Sequence, residues 1–270
     1  MSPWRLEAKR VPAGLSLGLD ARQLAWLRHP PSGQGGVVFG AHDNIPQALA
    51  GVAAETQVDL IAANDIALHW LQAPPSRVAS FQELQLVAGA RCAHLYGGAP
   101  QDWWVTGDWS ASRTFVCAAL PQSVVRPLQE QLAARKLQVS WHTAWSLICR
   151  VKAAAFPSDG WSALRSPRRL VLWHCSAGQV DCLSTLAVDE KSADAQVAGQ
   201  ALQQMQVESS RGDDFLPGPL HWLRLGEANS VQERPDIQPI AIKLPATVPA
   251  STSEASAALG LGCLLAGVSR

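Results

Sequence analysis

Hydrophobic and polar positions along the chain predict short strands that pair in hairpins. Residues 169–174 and 179–187 have the apolar spacing of two strands, and the turn between them ends at Gly178, which can adopt the positive φ of a tight turn. Residues 14–29 predict an earlier hairpin of the same kind. Two similar hairpins, one opening each half of the 270-residue chain, indicate an internal duplication.

The rest of the first half alternates between strand and helix patterns. A helix is predicted over residues 44–54, and strands are predicted at 37–39, 58–62 and 66–71. Three meandering strands followed by a helix and a strand form one ribonuclease-H-like α/β unit. The second half repeats this pattern, with helices over 192–207 and 251–266 and strands at 219–225 and 240–242.

An inserted helix and hairpin interrupt the first half. Ser80 and Glu83 form a capping box that opens a helix over residues 80–96, and a hairpin follows from 103–106 and 114–120. A helix at 121–136, a strand at 137–141 and a helix at 142–155 complete this half. Residues 158–167 are interpreted as a linker, so the first half spans 1–160 and the second spans 161–270.

Charge and composition narrow the possible partners. Lys and Arg together number 22, as do Asp and Glu, so no global field attracts nucleic acid or an anionic membrane. Charged residues make up only 16% of the chain and hydrophobic residues 47%. A surface with so few charged residues favours a protein that remains bound to a partner, although a GC-rich coding bias explains the same composition.

Cysteine spacing and apolar runs indicate a reduced, soluble protein. The six cysteines form no CxxC pair and no cluster with histidine at zinc spacing, so we expect no metal site. The amino terminus has no apolar run after its basic residues, and the longest run, 257–268, is about half a membrane span. We therefore expect a cytoplasmic protein.

Several strings resemble those of bacterial actin-like assembly proteins, namely the PilM-type component of type IV pili and the L-type component of type II secretion. Residues 14–27 lie along the first phosphate loop of that family, which reads roughly G-I-D-I-G-S-S-S-I-K-V-V-E-L. Residues 256–267 resemble its closing helix, and strand 220–225 with Gly226 resembles its last strand and glycine loop. The resemblance implies an α/β, actin-like fold: a duplicated ribonuclease-H-like unit whose halves are mixed sheets flanked by helices.

The departures from this family concern nucleotide binding. Actin-like ATPases hold Mg-nucleotide between two hairpin loops, with carboxylates that organise the metal through water. The first loop retains only Gly14 and Gly18, with Ser16 at the family's Asp and Gln23 at its Lys. In the hairpin that we align with the second loop, whose turn holds Gly178, Trp173 stands at the Asp and Cys175 at the Gly. The adenosine-side glycine pair is replaced by residues 189–191, and the last glycine cluster is reduced to Gly226.

The degenerate loops imply a pseudo-ATPase that binds no ATP and has no catalytic residue. The resemblance implies a scaffold of a type IV pilus or type II secretion platform, cytoplasmic and peripheral to the inner membrane through its partners. Those partners would be the cytoplasmic tail of a bitopic inner-membrane assembly protein and an assembly ATPase. Membrane contact would be only indirect, and no nucleic acid is expected.

Two further sets of residues invite a chemical interpretation. Asp20 and Arg22 in the first turn are candidates for phosphate contact, although a solvated hairpin tip is the simpler interpretation. Residues 174–176 place Cys and Ser beside His, the components of covalent catalysis. Neighbours on a strand point to opposite faces, however, so His174 is poorly placed to act as a base for Cys175.

Tryptophans and arginines provide the candidates for partner binding. Trp103 and Trp109 flank a predicted hairpin turn and are our candidates for a protein-binding groove. Core packing is the simpler interpretation of Trp104, Trp141 and Trp145. A small basic patch is formed by Arg165, Arg168 and Arg169, which either meets an anionic headgroup surface or caps a strand edge.

Three functions remain open from the sequence. The first is the inert actin-like scaffold, which would accept an extended peptide at an apolar cleft and a strand edge. The second is an active actin-fold ATP-binding protein or kinase. The third is an unrelated α/β protein-binding module, which requires that the two halves do not share a fold.

Overall fold

A computed structural model of the chain describes residues 14–20, 23–28, 37–40, 45–77, 80–151, 159–210, 218–225 and 236–242. The predictions made for Arg22, Gly226 and the closing helix at 251–266 lie outside these residues.

The described residues form thirteen strands and five helices. The strands are β1 (Leu15–Leu19), β2 (Leu24–Arg28), β3 (Val37–Gly40), β4 (Gln57–Ala62), β5 (Leu68–Gln72), β6 (Trp103–Gly107), β7 (Phe115–Pro121), β8 (Gln138–Thr143), β9 (Gly160–Arg165), β10 (Arg169–Ser176), β11 (Gln179–Ala187), β12 (Leu220–Leu225) and β13 (Ile237–Ile242). The helices are α1 (Ile45–Ala48), α2 (Phe81–Tyr96), α3 (Gln122–Ala134), α4 (Ala144–Val151) and α5 (Asp194–Ser209).

Both halves contain a five-stranded sheet with the same topology. The first sheet has the order β3-β2-β1-β4-β8 and the second has the order β11-β10-β9-β12-β13. In each, three antiparallel strands form a meander, and two further strands add in parallel on the other side of the central strand. The predicted duplication and the two-half α/β fold are therefore confirmed, with β1 and β9 as corresponding central strands.

The linker predicted over residues 158–167 is wrong, because β9 occupies most of it. The strand reads Gly-Trp-Ser-Ala-Leu-Arg, and its Ser162 and Arg165 are buried, like Trp161. A central strand that is covered on both faces shows no alternation of apolar and polar positions. Its Ser and Arg therefore give the segment the composition of a loop.

Two predicted helices in the first half also differ from the structure in their bounds, and residues 152–155 of the second lie outside the described residues. The helix expected over residues 44–54 is the single turn α1, after which Gly51 takes a φ of +71° and the chain turns. The helix expected from His142 begins two residues later, because β8 continues through Thr143.

The inserted subdomain packs helix α2 against a three-stranded sheet with the order β5-β7-β6. The Ser80 hydroxyl accepts a hydrogen bond from the Glu83 backbone N–H at 3.2 Å, as predicted for the start of this helix. Among the helices of the described residues, none is both long and apolar enough to cross a bilayer.

A hydrophobic core joins the two halves of the molecule. It joins Ile61 and Ala63, at the end of β4, to Leu164 and Trp173 of the second sheet. Helix α4 lies in its middle and contributes Trp145, Leu147 and Ile148. The space between the two sheets is thus filled by side chains from both halves.

Candidate functional site

The candidate site is the crevice where the two sheets present the carboxyl ends of their parallel strands. In the first half, β1 and β4 run in parallel, and the Ala63 N–H donates to the Leu19 carbonyl at 2.7 Å just beyond them. In the second half, β9 and β12 run in parallel and β9 ends at Arg165. Ligands of α/β sheets bind outside the carboxyl ends of the strands.

Two equivalent turns follow the central strands at this edge. In the first, the Asp20 N–H donates to the Gln23 carbonyl at 3.1 Å; in the second, the Ser166 N–H donates to the Arg169 carbonyl at 2.8 Å. The counterpart of the β1–β2 turn is therefore the β9–β10 turn. Our alignment of the β10–β11 hairpin with the second loop is wrong, because the missed strand β9 shifted it by one strand.

This correction moves three of the aligned positions. Trp173, Cys175 and Gly178 belong to the adjacent hairpin and not to the turn at the crevice. Gly178 has the positive φ that the sequence predicts, +72°. In the first half, Ser16 is buried near the start of β1, two residues before Gly18, and Gln23 is exposed at the turn. Whether nucleotide binding is lost at these positions stays a prediction.

The first turn is closed by its own acidic residue. The Asp20 carboxylate accepts the Gln23 N–H at 2.6 Å and is nearly buried. Asp and Asn commonly stabilise turns by accepting a backbone N–H a few residues ahead. Asp20 is thus a structural part of the turn and not a solvated tip.

The second turn is closed by an acidic residue of the other half. The Asp65 carboxylate accepts three hydrogen bonds from Arg168, through its backbone N–H, Nε and Nη2, each at 3.2 Å. Arg169 Nε donates to the Asp65 carbonyl at 2.9 Å. Arg165 forms a buried pair with Asp194, with Nε and Oδ1 at 2.7 Å. The predicted basic patch is therefore committed to contacts within the chain.

Aromatic rings pack in the core between the two sheets, beside the crevice. Trp145 of α4 meets Trp173 of β10 edge to face, with ring centroids 6.0 Å apart, and lies 5.1 Å from the ring of His69. Burial, and to a lesser degree Arg169, lowers the pKa of His69 to about 3. The imidazole is therefore neutral, with Nε2 at 3.0 Å from the hydroxyl of Thr143.

The thiol and imidazole of the β10–β11 hairpin do not form a catalytic pair. His174 Nδ1 lies 2.7 Å from the Asp181 carboxylate and its ring packs against Trp161, in the core beneath α5. Cys175 packs into the core between the halves, on the other face of the strand. Burial raises the pKa of the Cys175 thiol to about 11, which keeps it protonated and a poor nucleophile.

The tryptophans of the first half divide between core and groove. The ring centroids of Trp104 and Trp141 are 4.8 Å apart, and both rings pack against the core of the first sheet, as predicted. Trp145 is buried, also as predicted. Trp109 is half-buried between Phe81 and Phe115. Only Trp103 of the two predicted partner residues lines a groove.

That groove runs between α2 and β6 and has a volume of about 600 Å³. Its floor is apolar, from Trp103, Trp104 and Val105, and its rim carries amide side chains from Gln82, Gln85, Gln101 and Gln122. None of the described residues that line it is charged. Leu86, on the same wall, is 72% exposed.

Sequence reasoning missed Asp65 and Asn64. Asn64 Oδ1 accepts a hydrogen bond from the backbone N–H of Trp145 at 3.2 Å and so fixes the start of α4. Asp65 holds the second turn. Both follow directly after the buried strand β4. Polar residues at the carboxyl end of a buried strand were the available signal.

The sequence matches no protein-family model and no curated protein. The structure is similar to a Bacteroides thetaiotaomicron protein with an actin-like ATPase fold and unknown function, with TM-score 0.53, 9% identity, and 81% of this chain and 84% of that chain covered. It is also similar to the cytoplasmic domain of EpsL, an inner-membrane component of the type II secretion system of Vibrio cholerae, with TM-score 0.49, 15% identity and coverage of 85% and 90%. The PilM–PilN type IV pilus biogenesis complex gives TM-score 0.48, 12% identity and coverage of 80% and 82%. With the duplicated sheet order, the Bacteroides likeness identifies the fold as actin-like.

Proposed function

We propose that this chain is a non-catalytic, actin-like scaffold of a type IV pilus or type II secretion platform, which holds the cytoplasmic tail of an inner-membrane partner. The observation that carries the proposal is the packed aromatic core between the two sheets. Trp145 and Trp173 are 4% and 2% exposed and pack against each other where the two sheets face. These rings fill the space between the two sheets, next to the edge at which α/β sheets hold ligands.

The donors of the two turns point to the same conclusion. An actin-fold ATPase surrounds phosphates with the backbone N–H groups of its turns. Here the Gln23 N–H is held by Asp20 and the Arg168 N–H by Asp65. Binding of a phosphate would have to displace both carboxylates.

The groove beside α2 supports a peptide as the partner. β6 is an edge strand of its sheet in the described part of the chain. The Asp108 N–H donates to the Val116 carbonyl, so Asp108 and Val116 are a hydrogen-bonded pair, and every second residue of β6 before Asp108 is hydrogen-bonded to β7. By that alternation, the N–H and carbonyl of Val105 face away from β7. An added strand can pair there, as in other cases of β-augmentation.

The lining of the groove favours an extended, uncharged segment. A charged side chain would lose its hydration in the groove without gaining an opposite charge. The glutamine amides of the rim, such as those of Gln82 and Gln122, both donate and accept, so they can satisfy a peptide backbone. Such a segment would belong to the tail of a bitopic inner-membrane protein, and an assembly ATPase is the second partner that the family resemblance implies. Through these partners the chain would lie at the cytoplasmic face of the inner membrane.

The nucleotide part of the proposal is tested by thermal denaturation with Mg-ATP and Mg-ADP up to millimolar concentrations. A ligand that binds only the folded state stabilises it by roughly 2.7 kcal/mol at a hundredfold excess over its Kd. We expect no rise in Tm. A saturable rise would contradict the inert scaffold and favour an active actin-fold ATP-binding protein.

The peptide part is tested with an array of cytoplasmic tail peptides from single-span inner-membrane proteins, followed by fluorescence anisotropy of the bound peptides. Leu86→Glu, in the groove wall, should weaken binding about tenfold or more, because it places a charge beside an apolar floor. Val207→Glu, on the exposed face of α5, is the matched control and should bind like the wild type. Equal binding by both variants would remove the groove from the proposal.

A further inference from the structure

A second cleft, of about 590 Å³, lies between the inserted subdomain and the β10–β11 hairpin. The described residues that line it are all different from those that line the groove beside α2. Leu71 and Val116 lie on the wall that the inserted sheet forms, and Gln179 and Val180 lie on the wall that the hairpin forms. In the described part of the chain, β5 and β11 are edge strands, so the cleft lies between the edges of two sheets.

One side chain of β11 bridges these two edges next to the cleft. The Thr185 hydroxyl accepts the His69 N–H at 3.1 Å and donates to the His69 carbonyl at 3.2 Å. The backbone groups of His69 therefore face β11, away from β7. Because every second residue of a strand faces the same neighbour, the N–H and carbonyl of Leu71 also face away from β7.

The hairpin presents its backbone to the cleft in the same manner. Ala177 and Gly178 form its two-residue turn, so Ser176 and Gln179 are the closing pair whose backbone groups bond to each other. The N–H and carbonyl of Val180, the next residue, therefore face away from β10. An extended segment can pair with the edge of β5 or of β11 at this point, which is the geometry of β-augmentation.

Carboxylates give this cleft a charge that the groove beside α2 does not have. Among the described residues that line the cleft, the acidic Asp108 and Asp181 outnumber the one basic residue, Arg113. The Asp181 side chain is 38% exposed, although one of its oxygens lies 2.7 Å from Nδ1 of His174. A Lys or Arg side chain that enters the cleft would meet the opposite charge, whereas a carboxylate would be repelled.

Two thiols beside the cleft respond to the same negative charges. Burial, and after it Asp181 and Asp159, raises the pKa of the Cys175 thiol to about 11. Burial, and after it Asp108, also raises the pKa of the Cys117 thiol. Cys175 belongs to the hairpin and Cys117 to β7, so negative charge acts at both walls of the cleft.

We propose that this cleft is a second docking site, which accepts an extended segment of a partner protein that carries Lys or Arg. The backbone of the segment adds to the edge of β5 or of β11, and its basic side chain lies between Asp108 and Asp181. The site goes beyond the proposed function and does not rest on it, because it uses neither the groove beside α2 nor the two turns at the crevice.

The test begins with selection of short random peptides from a phage-displayed library on the full chain, followed by fluorescence anisotropy of the selected peptides. We expect a class of peptides with Lys or Arg among residues that favour strands. These peptides should bind Leu86→Glu, which is altered in the other groove, as they bind the wild type. Selection of uncharged or acidic peptides alone, or loss of the basic peptides in Leu86→Glu, would overturn the second site.

Charge changes at one exposed position of the cleft assign the binding to it. Gln179→Arg should weaken binding of the basic peptides about tenfold or more, and Gln179→Glu should strengthen it about threefold. Ala187→Arg and Ala187→Glu, at an exposed position at the other end of β11, are the matched controls and should leave binding unchanged. Loss of folding cannot produce opposite effects of two charges at Gln179. Equal binding by the two Gln179 variants would overturn the proposal.

Discussion

The two turns at the crevice have the same backbone hydrogen bond but different closures. The first turn is closed locally by Asp20, three residues from the N–H that it accepts. The second is closed by Asp65, 103 residues before Arg168 in the chain. A duplicated fold has therefore produced one turn that is complete within its own hairpin and one that requires the other half of the molecule.

This difference shows that two turns with the same backbone geometry can be held by different side chains. The sheet orders and the turn geometry are retained in both halves. What has changed is the set of side chains that meet between them, with Trp145 and Trp173 in the interior and Asp65 with Arg168 at the rim. The two turns therefore differ in the side chains that close them and not in their backbone geometry.

The strongest test of this comparison removes an aromatic ring from the core between the two halves. Trp173→Ala should lower the free energy of unfolding by about 4 kcal/mol, because it leaves a cavity beside Trp145. Chemical denaturation measures this value. Trp109→Ala, at a half-buried ring of the inserted subdomain, is the control and should cost clearly less. Similar losses for the two variants would show that the crevice interior contributes no more than an ordinary aromatic contact.

The second test concerns the arginine that precedes the second turn. Arg165→Met should destabilise the protein by about 3 kcal/mol, because it leaves the Asp194 carboxylate buried without its counter-charge. Arg126→Ala breaks an exposed pair with Glu130 and should change stability by no more than about 0.5 kcal/mol. Urea denaturation of the two variants makes the comparison, and a small effect at Arg165 would mean that water reaches Asp194.

Arg165 also explains why the sequence did not reveal β9. Most of the fold follows from local patterns, since the β1–β2 hairpin, the capped helix α2 and the strands of the second hairpin all lie close to their predicted positions. A buried Arg in a strand becomes acceptable only through its partner Asp194, which lies 29 residues later. Pattern analysis sees the charge but not the partner, so it assigned the segment to a linker.

The candidate site was predictable only in part for the same reason. Core packing of Trp145 follows from its helix pattern, whereas the pairing of Asp65 with Arg168 connects two segments that no local rule joins. The groove likewise arises from the packing of α2 on β6, and of its lining residues only Trp103 was a candidate from sequence. Contacts between residues far apart in the chain cannot be read from the local patterns of a single sequence.

The third test measures the local closure of the first turn. Asp20→Ala should lower the free energy of unfolding by about 2 kcal/mol, because the Gln23 N–H loses a hydrogen bond to a charged acceptor. Asp20→Asn keeps an acceptor oxygen and should recover much of the loss. Thermal and urea denaturation of the two variants would decide. An equal loss for Asn and Ala would show that the charge, and not the hydrogen bond, holds the turn.

The smallest expected effect, over the pH range tested, is a pH dependence that the buried His69 contributes. Burial and Arg169 lower the pKa of His69 from 6.5 to about 3, so the unfolded chain binds a proton that the folded protein does not. The contribution of His69 to the free energy of unfolding is complete above about pH 6.5. It falls as the pH drops towards 3, by at most about 1.4 kcal/mol per pH unit. Between pH 6.5 and 5, His69→Gln should flatten this slope, while His94→Gln, at an exposed site on α2, should leave the slope in place. A wild-type slope in His69→Gln would mean that the imidazole is not held neutral beside the second turn.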